Sequence, residues 1–92
     1  MDSYLIVIER GKKNYGAFSP DVLGCVTVGD TVDETLANMR EALEGHLQDE
    51  DNIPEPKGIE WHFREEPELR DDQSLIFAYI PVSAVAPQMA HA

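Results

Sequence analysis

Pro20-Asp-Val-Leu-Gly-Cys-Val-Thr-Val-Gly-Asp-Thr-Val-Asp-Glu-Thr35, with the run that continues to Gln48, decides the fold. Pro20, Asp21 and Gly24 supply turn chemistry: a fixed φ, a side chain that can bond its own backbone, and freedom to take positive φ. Cys25 to Val28 is a short β-branched run, closed by Gly29 and Asp30. Thr31 with Glu34 three residues later has the form of a capping box, in which each side chain satisfies an orphan amide of the other. Val32, Leu36, Met39, Leu43 and Leu47 then recur at helical spacing. Asp33, Glu34, Asn38, Arg40, Glu41, Glu44 and Gln48 are turned mostly away. The stretch reads as a strand, a tight cap and an amphipathic helix.

Upstream, Tyr4 to Ile8 is a strand that is apolar on both faces, which suits a central position covered from both sides. Gly11 to Asn14 is polar and turn-prone, and Tyr15 to Phe18 returns as a second strand, so the two form a hairpin. Downstream of the helix, the segment 49–56 ends in Ile53-Pro-Glu-Pro56 and breaks regular structure, with Ile53 the apolar residue able to pin it to the core. Ile59, Trp61 and Phe63 alternate as in a strand, although a short helical turn before Pro67 also fits; the alternation favours a strand or extended segment. Leu75 to Ile80 is a last strand, apolar on both faces, and Pro81 suits its end or a sheet edge. Residues 83–92 carry no period and read as a flexible tail.

The order hairpin, strand, helix, strand describes one α+β domain over residues 1–82. A crossover helix between the third and last strands predicts a small mixed sheet of order 3-2-1-4, with the last strand parallel to the first and one face covered by the long helix. At 92 residues the chain buries about 60–65% of its unfolded surface. Such a core supports a single sheet under one long helix, so the opposite face is expected to need a partner.

Eighteen acidic against seven basic residues give a formal net charge of −11. That field repels phosphate backbones, so direct nucleic-acid binding is not expected. All ten acids of the C-terminal half lie between Asp49 and Asp72; they read either as a solvated surface or as one matched to a basic partner. A single cysteine excludes an internal disulfide and a cysteine-based zinc site. No signal-like start and no apolar run of membrane length is visible, so the expected location is the cytoplasm, without membrane contact.

No catalytic or metal-binding constellation emerges. A sheet of order 3-2-1-4 with a helix resembles part of a ribonuclease H fold, whose chemistry needs carboxylates converging on a metal. Here Glu9 only ends the central strand, Asp21 lies in a turn, and Asp33, Glu34, Glu41 and Glu44 lie on the solvated helix face. His46 suits the helix C-terminus through the macrodipole, while His62 and His91 stand apart from it without metal-ligand spacing. Cys25 reads as a small packed hydrophobe. No cofactor is expected.

The Pro-Asp turn, the Gly24-Cys25 start of the third strand, the Gly-Asp-Thr cap with Glu34, and Ile53-Pro-Glu-Pro56 stand here in an order that resembles the HicB family of antitoxins. The resemblance covers about residues 4 to 82. It implies a partial ribonuclease H-like fold without the catalytic acids. It also implies a non-enzymatic antitoxin that binds and neutralises a small basic toxin of the HicA type, an mRNA-cleaving ribonuclease. Two departures stand out. Leu23 occupies the place of the family's usual proline, and Ser83 to Ala92 is too short and unpatterned for the DNA-binding segment many members carry after the last strand. An orphan homo-oligomeric binding or scaffold domain is the alternative reading.

Two surfaces are expected to carry these contacts. Trp61 and Phe63, with the acids Glu65, Glu66, Asp71 and Asp72, form the expected partner-binding surface, since exposed aromatics make good interface anchors. Leu75, Ile76, Phe77 and Tyr79 form the expected self-association strand, because an uncharged edge strand templates pairing with another chain; the alternative is that the Ile59–Phe63 segment folds over that edge.

Overall fold

Tyr4, Leu5, Ile6, Val7 and Ile8 are all fully buried in the computed structural model, which describes residues 2–87. They form the middle of β1 (Ser3–Arg10), which is flanked on both sides. On one side lies β2 (Tyr15–Ser19), joined through the 11–14 turn, and beyond it β3 (Val22–Gly29); on the other lies β4 (Ile76–Pro81). The order is β3-β2-β1-β4, as the sequence indicates.

The helix α1 (Val32–Leu47) is capped as expected, with Thr31 Oγ1 accepting from the Glu34 amide at 3.0 Å. The Glu34 carboxylate, however, takes the amide of Asp30, one residue before the cap, instead of that of Thr31. Met39, Leu43 and Leu47 are fully buried against the sheet, whereas Val32 and Leu36 are half-buried at the stripe's margin. Thr35 joins the buried stripe because its hydroxyl donates to the Thr31 carbonyl at 2.6 Å, which removes the cost of burying it. It packs so closely on Gly29 that a Cβ at Gly29 would fall 2.5 Å from Thr35 Oγ1.

Two expectations fail together after α1. Residues 59–71 form two short helices, α2 (Ile59–Glu65) and α3 (Pro67–Asp71), not a strand. They lie on the face of the sheet opposite α1, where Ile59, Phe63 and Leu69 pack with Leu5, Val7, Phe18, Leu75 and Phe77. The chain therefore travels the length of the sheet twice between β3 and β4, once in α1 and once through α2–α3. It enters β4 beside Ile8 and runs antiparallel to β1, with Ser3 opposite Pro81 and Ile8 opposite Ile76. Every strand pair is antiparallel, so the sheet is not mixed, and the last strand is not parallel to the first. The single-helix cover is corrected in the same way: the second face has its own small core over β1, β4 and Phe18 of β2.

The C-terminal boundary also shifts. Val82–Val85 is a short helix, α4, and Val85 is buried in the main core with Tyr4, Ile80 and Leu47. The folded unit thus extends past residue 82, while residues 88–92 of the expected flexible tail lie outside the described residues.

Candidate functional site

Asp21 holds the α2–α3 segment to the sheet. β2 has ended at Ser19 where Leu5 of β1 still needs an acceptor, and Asp21 Oδ2 takes the Leu5 amide at 2.9 Å. Its other oxygen accepts the Lys57 amide at 3.0 Å and meets His62 Nε2 at 2.7 Å. Both side chains are almost wholly buried, 0% exposed for Asp21 and 3% for His62. The carboxylate therefore ties together the β2–β3 turn, the start of β1, the loop before α2, and α2 itself. Beside it, the Tyr4 hydroxyl donates to the Pro54 carbonyl at 2.7 Å. Burial, and behind it the Asp21 carboxylate, pushes the Tyr4 phenol above its usual pKa. Gly58, at φ +91°, makes the turn into α2, a conformation that favours glycine.

The segment so anchored displays acids. Glu60, Glu65, Glu66, Glu68, Asp71 and Asp72 are all exposed. Arg70 hydrogen-bonds Asp71 at 2.9 Å and holds its carboxyl below the usual range. Asp72 accepts from the Ser74 hydroxyl at 2.6 Å and the Ser74 amide at 3.0 Å, which lowers its pKa as well. Glu65 and Glu66 make no ion pair among the described residues. Of the two aromatics expected here, Trp61 remains at the surface, 37% exposed, with Lys57 Nζ 5.7 Å from its ring centroid. Phe63 belongs to the second core, edge-on to Phe77 at 5.4 Å. The structure thus brings Trp61 and the acids onto one short segment and packs Phe63, half-buried, against the second core.

The strand expected for self-association is an edge. Ile76 and Tyr79 are exposed, while Leu75 and Phe77 are half-buried under α2–α3. Sequence reasoning missed the other edge, β3, where Leu23, Val26 and Val28 are exposed. Their signal was available: an apolar run placed last in order 3-2-1-4, on a face the long helix does not cover. That edge is partly closed, because Asn38 of α1 donates its side-chain amide to the Val28 carbonyl at 2.8 Å. Asn38, read from periodicity as a solvated position, is thus a clamp between α1 and β3.

Among the described residues no three His, Cys, Asp or Glu side chains gather where they could hold a metal ion. Glu9 is exposed at the end of β1, and Cys25 is buried, its thiol pushed up in pKa by that burial. No helix of the described residues is long and apolar enough to cross a membrane.

Comparison with known proteins gives a consistent set of relatives. The family model for the HicB-like antitoxin of bacterial toxin–antitoxin systems matches residues 4–91. An uncharacterised 14.9 kDa protein from the rep-hol intergenic region of Haemophilus phage HP1 is 38% identical over 72 residues, covering 74% of this chain and 53% of the phage protein. The chain therefore spans about half the length of that relative. Among solved structures, the N-terminal domain of the Burkholderia pseudomallei antitoxin HicB superposes with a TM-score of 0.69 at 26% identity, covering 87% of this chain and 96% of that one. A chain of the HicA3–HicB3 toxin–antitoxin complex superposes with a TM-score of 0.63 at 25% identity, covering 84% and 93%.

Proposed function

Since the chain belongs to the HicB-like antitoxin family, we propose that it binds a small basic toxin of the HicA type and neutralises it by protein–protein contact, with no catalysis of its own. The observation that carries this reading is the anchored acidic segment. Glu65 and Glu66 stand exposed on a rigidly held pair of helices, with Trp61 beside them as an apolar anchor. A preorganised surface loses little conformational entropy on binding, and its charge is of the sign that draws a basic protein in. The HicA3–HicB3 complex supports the pairing by analogy, because one of its chains shares this fold. The net charge of −11 disfavours any role that requires the chain itself to lie on a phosphate backbone.

Calorimetric titration with a small basic toxin of the HicA type tests the reading. A one-to-one isotherm is expected, weakening steeply with added salt and by at least about tenfold, or about 1.4 kcal/mol, in a Glu65→Lys/Glu66→Lys variant. Binding that ignores both the salt and the charge reversal would remove α2–α3 as the contact surface.

A further inference from the structure

The uncovered half of the second face has a shape as well as an area. Opposed residues of a ladder share a face, and so do residues two apart on one strand. Glu9, Gly16 and Val28 therefore form one row across β1, β2 and β3, and Val7, Phe18 and Val26 form the next. The α2–α3 cover reaches Val7 and Phe18 and stops there. Val26 and Val28 are left 68% and 58% exposed, too open to be finished core. Gly16 carries no side chain, so the middle of the outer row is a socket. Its walls are Phe18, Val26 and Val28, with Glu9 on the remaining side.

That last wall is charged and unmatched. Glu9 makes no ion pair among the described residues. Its neighbour Arg10 belongs to the other face, where its guanidinium carbon lies 5.7 Å from the centroid of the Tyr15 ring. An apolar side chain in the socket would strip water from the Glu9 carboxylate and return no partner to it. An acidic one would be repelled. A long basic side chain suits both parts: its methylene stem lies along Phe18, Val26 and Val28, and its cationic head reaches the carboxylate.

We propose that the Gly16 socket receives an arginine side chain of the protein partner. A guanidinium is more weakly hydrated than an ammonium, and its planar fork matches a carboxylate, so arginine fits this half-desolvated site better than lysine. The proposal rests on the toxin reading and refines it. Glu65 and Glu66 draw the basic protein in, whereas the socket seats one of its arginines and so fixes its orientation on the sheet.

Filling the socket does not harm the strand, which makes Gly16 the position to test. Its φ is not in the left-handed region, and an added β-carbon would come no closer than 3.8 Å to the Thr27 carbonyl oxygen. Valine also suits a strand better than glycine. Gly16→Val should therefore keep the wild-type circular dichroism and melt no lower than wild type. Gly16→Val and Glu9→Gln should each weaken binding of a HicA-type toxin by about tenfold. The double variant should lose little more than Gly16→Val alone, because both changes remove one contact. A second probe needs no toxin. N-acetyl-arginine amide at millimolar concentration should shift the amide resonances of Gly16, Val26 and Val28, and Gly16→Val should abolish the shifts at Val26 and Val28. Toxin binding that neither single variant weakens overturns the socket and leaves the toxin reading standing. A loss with Gly16→Val and none with Glu9→Gln also overturns it, since the occupant would then be apolar. Resonance shifts confined to the α2–α3 acids overturn it as well. A toxin that never binds, beside shifts that vanish in Gly16→Val, removes the toxin reading and keeps the arginine socket.

Discussion

Asp21 is the residue on which the most depends. Its carboxylate accepts from the Leu5 and Lys57 amides and from His62, and no buried polar side-chain atom among the described residues is left unpartnered around it. Removing it strands two backbone donors and a buried imidazole, and each unsatisfied group costs about 1–3 kcal/mol. Asp21→Ala should therefore lower unfolding free energy by about 3 kcal/mol or more. His62→Ala should cost less, because Asp21 keeps both amides. Urea denaturation orders the two; a His62 variant more damaging than the Asp21 variant would mean that the node is organised around the wrong partner. The sequence shows Asp21 as a turn residue and nothing more. Its tie to His62 spans 41 positions, and no local pattern announces such a contact.

The elements separate into those with local signals and those without. The Thr31 cap and the Met39–Leu43–Leu47 stripe are properties of a single helix, so they are legible from periodicity and are found in place. Leu43→Ala should cost about 2–5 kcal/mol from lost burial and the cavity left behind, and Thr31→Ala about 1 kcal/mol from the lost cap. Denaturation midpoints check both, and a Leu43 variant as stable as wild type would contradict the packing of α1. The stretch 59–65 misleads because Ile59, Trp61 and Phe63 fit a period of two. The spacing that matters is Ile59 to Phe63, four apart, which puts both against the second core as one helical face. That single misreading also sets the direction of β4. A strand there leaves one crossing between β3 and β4, whereas helices on the opposite face add a second crossing and reverse the last strand. Strand order was legible from the two apolar faces of β1; strand direction depended on the path of a segment whose packing partners are distant.

At the scale of the molecule, three surfaces divide the work. The main core under α1 holds the sheet together, and the second core under α2–α3 covers β1, β4 and Phe18 of β2. Val26 and Val28, on the β3 half of that face, stay bare. The acids stand on the outside of the α2–α3 cover, so the element that completes the fold also presents the charge. The exposure of the acids was legible from their charge. That Trp61 stays at the surface and Phe63 joins the second core was not, because which aromatic is covered depends on what packs over it.

The central claim is the proposed neutralisation without catalysis, and titration of the chain into an mRNA-cleavage assay run by a HicA-type toxin tests it most directly. Cleavage should fall in proportion to added chain and cease at stoichiometric equivalence, while the chain alone, with magnesium or manganese, leaves RNA intact. Cleavage that continues undiminished at a saturating excess of folded chain would contradict the account.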